Sequence, residues 1–156
     1  GGPDNPEPLT APSSVELIHE FARLFTDGFK VFISDLVEAS RENVTPAQLR
    51  FLLLLAMRPR ITITESARGL AITRASACSA VARLVERGWV RRNPDPDDAR
   101  RVHLELTSHG RGLVDDFEAA QAERIESLLA YFTEDEIESF RRLLRRISSR
   151  IEEVYD

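Results

Sequence analysis

Apolar side chains recur every three or four residues over most of this chain, the spacing that places them along one face of an α-helix. Three long stretches show this pattern, at residues 13–39, 107–132 and 133–155. The first and the last open with a capping box, formed by Ser13 with Glu16 and by Thr133 with Glu136. The pattern therefore predicts one long helix near the start of the chain and two at its end.

The middle of the chain holds three shorter helices. Pro46 opens the first, whose four leucines at residues 52–55 are apolar on nearly every side and predict burial. Thr62 caps the second, which reaches about residue 68, and the turn at 69–72 contains a glycine. Thr73 caps the third, which ends at Gly88. Two short helices joined by such a turn are typical of a helix-turn-helix.

After Gly88 the apolar and polar positions alternate, as they do in half-buried strands. Residues 89–92 and 102–106 predict two strands, and the turn-forming residues 94–98 join them. The whole pattern predicts a mainly α-helical fold with a small β-wing (α+β), in which a winged helix-turn-helix module at residues 45–107 lies between dimerisation helices at 13–40 and 108–156. Residues 1–12, with four prolines, predict a disordered arm.

The terminal helices carry more apolar surface than one chain of 156 residues can cover when its middle third is already a folded module. We therefore expect a homodimer whose apolar faces bury one another.

The net charge of −5 is distributed unevenly along the chain. Residues 41–110 hold twelve arginines and seven acids, for a charge of +5, whereas residues 1–40 and 111–156 each sum to −5. An electropositive face in the middle of the chain is what a nucleic-acid-binding protein requires. Arginines scattered over solvated helix faces are the alternative.

The outer face of the third short helix predicts a DNA-reading surface. It offers small hydrogen-bonding side chains and two arginines, at Thr73, Arg74, Ser76, Ser79 and Arg83. Such side chains contact base edges and phosphates in a major groove, although an ordinary exposed helix face has the same composition.

The hairpin supports this interpretation, because Arg91, Arg92, Arg100 and Arg101 surround its turn and an arginine at a wing tip can enter a minor groove. Three aspartates in the turn would repel phosphate, so we expect one to brace an arginine, and we choose Asp98 with Arg100. A surface hairpin whose charges keep its edge soluble is the alternative.

These residues resemble the MarR family of bacterial winged helix-turn-helix transcription factors. The resemblance lies in Thr45-x-x-Gln48, the helix start at 62–67, the helix at 73–88, the tract through Gly88, Val90, Arg92, Asp95, Pro96, Asp98 and Arg100, and Leu106-Thr107-x-x-Gly110. Ser66, Ser79 and Ala99 depart from residues common in the family. The resemblance implies a two-fold dimer on a pseudo-palindromic operator, released by a small, often phenolic, effector or by oxidation. It also assigns Arg100 to the minor groove and Asp98 to its support.

An effector site is a separate hypothesis. The stripe Phe21, Phe25, Phe29 and Phe32 either lines a ligand pocket, with His19, Arg23 or Arg50 as polar anchors, or packs in the dimer core. The single cysteine, Cys78, is either a redox sensor or a packing residue.

No Gly-rich phosphate loop, nucleophile elbow or zinc-ligand set is present, so we expect neither an enzyme nor a bound metal or cofactor. The longest apolar run is too short to cross a bilayer, and with one cysteine and no signal segment we expect a cytoplasmic protein without a membrane partner. The predicted function is that of a ligand-responsive repressor that binds double-stranded DNA sequence-specifically as a homodimer. A winged-helix protein-interaction module without DNA binding stays the alternative.

Overall fold

The computed structural model describes residues 12–39 and 42–155, with the side chains of residues 29–39 and Tyr155 left outside the description. The predicted N-terminal arm therefore lies almost entirely outside the described residues. The elements in chain order are α1 (Ser14–Ala39), α2 (Pro46–Met57), β1 (Ile61–Thr62), α3 (Ile63–Leu70), α4 (Arg74–Glu86), β2 (Val90–Pro94), β3 (Val102–Leu106), α5 (Ser108–Leu129) and α6 (Glu134–Tyr155). By its internal contacts the chain divides into two units, Gly1–Pro46 and Ala47–Asp156.

The first unit contains α1, which begins where the sequence predicts. The backbone N–H of Ser13 donates to Oε2 of Glu16 at 2.7 Å, and the N–H of Glu16 donates to Oγ of Ser13 at 3.2 Å. This reciprocal pair is the predicted capping box. The rings of Phe21 and Phe25 stack with their centroids 6.4 Å apart, and both side chains are exposed in the single chain.

The second unit builds its winged helix around a three-stranded antiparallel sheet in the order β1-β3-β2. Val90 lies opposite Leu106 and Arg92 opposite Leu104, so the hairpin forms in one continuous register. The mainly helical fold with a small wing, predicted from the sequence, is confirmed. Strand β1, which pairs Ile61 with Leu104, was not predicted because two residues are too few to show an alternating pattern.

The end of α3 corrects one sequence prediction. Gly69 was expected in the turn, but α3 continues through it to Leu70. The residue that turns the chain is Ala71, in the left-handed region at φ 54° and ψ 44°. Its N–H donates to the carbonyls of Ala67 and Arg68, which satisfies the end of the helix and offsets the ~1 kcal/mol that a left-handed conformation costs a residue with a Cβ.

The core of the second unit lies between α2, α4 and the sheet. Its fully buried large side chains include Phe51, Leu52, Leu55, Val81, Leu84, Trp89, Leu104 and Val114. Helix α4 buries Ala77, Val81 and Leu84 as predicted, while Ala80 and Val85 are only half-buried. Ser66 is fully buried and donates its hydroxyl to the carbonyl of Ile63 at 2.8 Å, so its polar atom has a partner.

A tight corner fixes the wing to α5. Thr107 donates its hydroxyl to the carbonyl of Gly88 at 2.6 Å and accepts from the N–H of Gly110 at 3.1 Å, so it caps α5 and holds the end of α4 at once. The backbone at Gly110 passes so close to Trp89 that an added Cβ would lie 2.0 Å from the Trp89 carbonyl oxygen. Only glycine fits there, which is the physical reason for the Leu-Thr-x-x-Gly motif.

The last two helices bury little of their apolar surface. In α5 the buried residues are Gly110, Val114 and Gln121, and the helix ends at Leu129, before the predicted Phe132. Helix α6 opens with the predicted capping box of Thr133 and Glu136. Its apolar residues remain about half exposed or more, at Phe140, Leu143, Leu144, Ile147, Ile151 and Val154.

Candidate nucleic-acid interface

Helix α4 presents the predicted reading surface to solvent. Thr73, Arg74, Ser76, Ser79 and Arg83 are all exposed, opposite the buried stripe of the same helix. Thr73 is the N-cap: its Oγ1 accepts from the N–H of Ser76 at 3.1 Å and donates to the Ser76 hydroxyl at 2.9 Å. Thr73 and Ser76 therefore set the start of α4, and the hydroxyl of Ser76 retains acceptor capacity toward a ligand.

Five arginines on α4 and the hairpin have guanidinium groups that form no ion pair with any carboxylate in the described ranges. They are Arg74, Arg83, Arg92, Arg100 and Arg101, and all are exposed. We call them the open arginines. A guanidinium without an internal partner keeps its full charge and its donors for an external anion.

Arg91 differs from its neighbour Arg92. Its Nε and Nη2 donate to Oε2 of Glu105 at 3.2 and 2.9 Å. Glu105 also accepts from Nδ2 of Asn93 at 2.6 Å and lies 3.9 Å from Nε of Arg60. The charge of Arg91 is therefore largely neutralised on the wing.

Asp95 organises the wing turn. Its Oδ1 accepts from the N–H of Asp97 at 2.8 Å and of Asp98 at 3.3 Å, and its Oδ2 lies 2.6 Å from Nε2 of His103 on β3. The hydrogen bond from His103, followed by that from the Asp97 amide, lowers the pKa of Asp95 to about 2. The carboxylate is therefore ionised at every pH at which the protein would work.

The expected support of Arg100 by Asp98 takes a different form from the one predicted. Oδ1 of Asp98 accepts from the backbone N–H of Arg100 at 3.0 Å, and no contact of Asp98 with the guanidinium is found in the described chain. A two-residue separation favours this turn-type hydrogen bond, because the carboxylate reaches the nearby amide before the longer side chain can fold back. Asp98 therefore shapes the backbone and leaves the guanidinium open.

The residues proposed for an effector site remain a prediction. His19, Arg23 and Phe25 are exposed on α1, and the side chain of Phe29 lies outside the described residues. Nη2 of Arg50 donates to the carbonyl of Leu70 at 3.2 Å, which ties α2 to the end of α3. Cys78 is half-buried on α4.

The roles of His103 and Glu105 were not predicted from the sequence. Both lie on one face of β3, with Asn93 and Arg91 directly opposite them on β2. The signal that would have found them is the strand register, since partners in an antiparallel pair share a face and opposite charges there attract. His103 also acts on Glu65. The pKa of Glu65 is lowered by the hydrogen bond from the Thr62 amide in the capping box, with smaller contributions from the charges of Arg101 and His103.

The described part of the chain contains no group of three or more His, Cys, Asp or Glu side chains arranged to hold a metal ion. None of its helices combines the length and apolar character needed to span a membrane.

A helix-turn-helix followed by a two-stranded wing with open arginines defines a winged helix-turn-helix protein. The sequence model of the MarR family matches residues 42–101. The chain is 30% identical over 91 residues to the HTH-type transcriptional regulator PecS of Dickeya dadantii (strain 3937), a match covering 58% of this chain and 55% of PecS. It is 27% identical over 106 residues to the multiple antibiotic resistance protein MarR of Escherichia coli (strain K12), covering 67% of this chain and 74% of that protein.

The fold agrees with these sequence matches. A crystal structure of MarR superposes with a TM-score of 0.70 at 25% identity, covering 99% of this chain and 97% of the other. The chain is therefore similar to MarR-family regulators in the sequence of its middle part and in its fold.

Proposed function

We propose that this protein is a transcriptional regulator that binds double-stranded DNA in a sequence-specific manner. The observation that carries the proposal is the set of open arginines, which lie on the two elements that enter DNA grooves in winged-helix proteins, while three nearby acids are engaged within the chain. Glu65 closes a capping box, Asp95 binds His103, and Glu105 binds Arg91 and Asn93. The transcriptional regulators among its relatives support the same function.

The recognition surface in this proposal comprises α4 and the wing. Thr73, Arg74, Ser76, Ser79 and Arg83 face the major groove, where arginine and hydroxyl side chains read base edges and phosphates. The wing places Arg100 at a minor groove, with Arg92 and Arg101 beside it and Asp98 holding the backbone of Arg100.

The working form in this proposal is a homodimer. The apolar groove along α6, lined by Leu143, Ile147, Ile151 and Val154 together with the stems of Arg146 and Arg150, is open in the single chain. Burying it against a second copy removes that surface from water. A two-fold dimer would set its two α4 helices about 34–36 Å apart, one turn of DNA, and so select a pseudo-palindromic operator.

The regulatory part of the proposal is repression relieved by a small aromatic or phenolic effector. A ligand that altered the separation of the two α4 helices would lower DNA affinity, because both must enter successive major grooves at once. The first candidates for its contacts are His19, Arg23, Phe25, Phe29 and Arg50.

The test measures binding to genomic DNA fragments at several salt concentrations. The logarithm of the binding constant should fall linearly with the logarithm of salt, by about 0.9 per phosphate neutralised. Arg100→Ala should weaken binding and, because the homodimer carries two copies of Arg100, reduce that slope by about 2. Arg141→Ala is the matched control, since Arg141 is an exposed arginine on α6 paired with Glu138, and its slope should equal that of the wild type.

Two outcomes would contradict the proposal. Equal slopes for Arg100→Ala and the wild type would remove the wing from the interface. Absence of DNA binding at any salt concentration would favour the winged-helix protein-interaction module, for which the net charge of −5 is the supporting observation.

A further inference from the structure

The side chain of Asp95 joins the two strands of the wing to the turn between them. Asp95 follows β2, and its carboxylate accepts from the amides of Asp97 and Asp98 further along the turn and contacts His103 on β3. Its own N–H donates to the carbonyl of Arg101 at 2.8 Å. Asp95 thus connects the outgoing strand, the turn and the returning strand.

Among the described residues, the contact with Asp95 is the only hydrogen bond that the His103 side chain forms. Its side chain is 12% exposed, and its Nδ1 is buried without a hydrogen-bond partner among the described residues. Because Asp95 is ionised, it can only accept, so Nε2 of His103 carries the proton of the bond. A buried ring nitrogen left without a partner is a cost to the fold, and it is retained together with the Asp95 contact.

Arg100 lies at the end of the same chain of hydrogen bonds. Asp95 fixes the amide of Asp98, and Asp98 in turn fixes Arg100 through its Oδ1 and Arg101 through its carbonyl, at 3.0 and 2.9 Å. The Arg100 guanidinium itself is open. This chain of bonds therefore holds the backbone from which the Arg100 side chain extends.

We infer that Asp95 and His103 form a wing latch that positions Arg100 for the minor groove. Without the latch the turn samples other conformations, and the guanidinium must be ordered at the moment of binding, which lowers affinity. Asp95 and His103 are positioning residues that act through Arg100 and need not touch DNA. The inference rests on the proposed DNA-binding function.

A double-mutant cycle tests the inference. His103→Phe keeps a ring in the strand but removes the donor, and it should weaken DNA binding about tenfold, the effect of one hydrogen bond to a charged group. In an Arg100→Ala background the same change should have less than about a twofold effect, since the side chain that the latch positions is gone. His103→Gln, which restores an N–H donor, should recover most of the affinity.

Three results of this double-mutant cycle would contradict the inference. Equal weakening in both backgrounds would mean that His103 acts on the wing fold as a whole, and no weakening would mean that the latch does not matter for binding; either result overturns the inference. Failure of His103→Gln to recover affinity above the level of His103→Phe would also contradict it.

A measurement without DNA distinguishes failure of the latch from failure of the proposed function. Hydrogen exchange at the Asp97 and Asp98 amides should be about tenfold faster or more in His103→Phe than in the wild type, while the Leu104 amide keeps its rate. Unchanged exchange at the two turn amides would refute the latch even if the protein binds DNA. A wild type that binds no DNA, with the exchange result as expected, would refute the DNA-binding proposal alone.

Discussion

Helices α2 and α6 carry similar numbers of large apolar side chains but cover them differently. In α2, Phe51, Leu52 and Leu55 are each 1% exposed or less, whereas Leu143 and Ile147 of α6 are 54% and 53% exposed. Helix α2 is apolar and α6 is amphipathic by sequence. Their difference in burial therefore depends on whether the same chain supplies a second apolar surface for the helix to pack against. The winged helix has a closed core, whereas α6 leaves exposed the apolar face that the proposed dimer would bury.

The largest expected effect comes from a substitution that disrupts the proposed α6 interface. Ile147→Asp would bury a carboxylate in an apolar contact twice in a symmetric dimer, and it should weaken dimerisation on the order of 1000-fold. Sedimentation equilibrium measures the change. Ser149→Asp, which adds the same charge at an exposed polar position of α6, should leave the dimer intact. Equal dissociation of both variants would argue against an apolar α6 interface.

A second prediction compares the same substitution in both regions. Leu55→Ala removes a fully buried side chain and should cost about 3 kcal/mol of unfolding free energy. Leu144→Ala, at a side chain that is 49% exposed, should cost less than about 1 kcal/mol at concentrations where the chain is monomeric. Urea denaturation at low concentration gives both values. Losses of similar size would mean that α6 packs within its own chain.

A third prediction concerns the corner that joins the wing to α5. Gly110→Ala should destabilise the protein by about 2–3 kcal/mol, because the new Cβ overlaps the Trp89 carbonyl. Gly112→Ala is the matched control on the same helix, where a Cβ meets no atom within 4 Å. It should stabilise by up to about 1 kcal/mol through helix propensity. Thermal unfolding of the two variants checks the pair, and the same sign for both would contradict the corner geometry.

The smallest effect is the acid dependence of the wing turn. The pKa of Asp95 is lowered from 3.8 to about 2 in the fold, so its contribution to stability is complete above its ordinary pKa and is lost as the pH falls through about 2. Asp95→Asn lacks this contribution. The stability difference between wild type and Asp95→Asn should therefore be constant down to about pH 5 and shrink at lower pH. A difference that does not change between about pH 5 and pH 2 would show that Asp95 is not held as the anion.

The sequence predicts local features of this fold well because their causes are local. Capping boxes at Ser13, Thr62 and Thr133 mark helix starts through contacts three residues apart, and the structure confirms all three. The turn of the helix-turn-helix was predicted to begin at Gly69, but α3 continues to Leu70 and the left-handed residue is Ala71.

Longer-range features needed the coordinates. The contact of Asp95 with His103 depends on the register of β2 with β3, which alternation alone does not set. The contrast between paired Arg91 and open Arg92 has the same origin, because neighbouring residues of a strand face opposite sides. The arginine content of residues 41–110 indicates the electropositive region of the chain. Only the strand pairing distinguishes which arginines of the wing are free to bind an anion.

The proposed function requires two copies of the winged helix held by a shared dimer interface, and hydroxyl-radical footprinting tests this most directly. On a DNA fragment selected by the wild-type protein, we expect two protected patches related by a dyad and about one helical turn apart, with the flanking minor-groove protection lost in Arg100→Ala. A single asymmetric patch, or the same protection in Arg100→Ala as in the wild type, would contradict it.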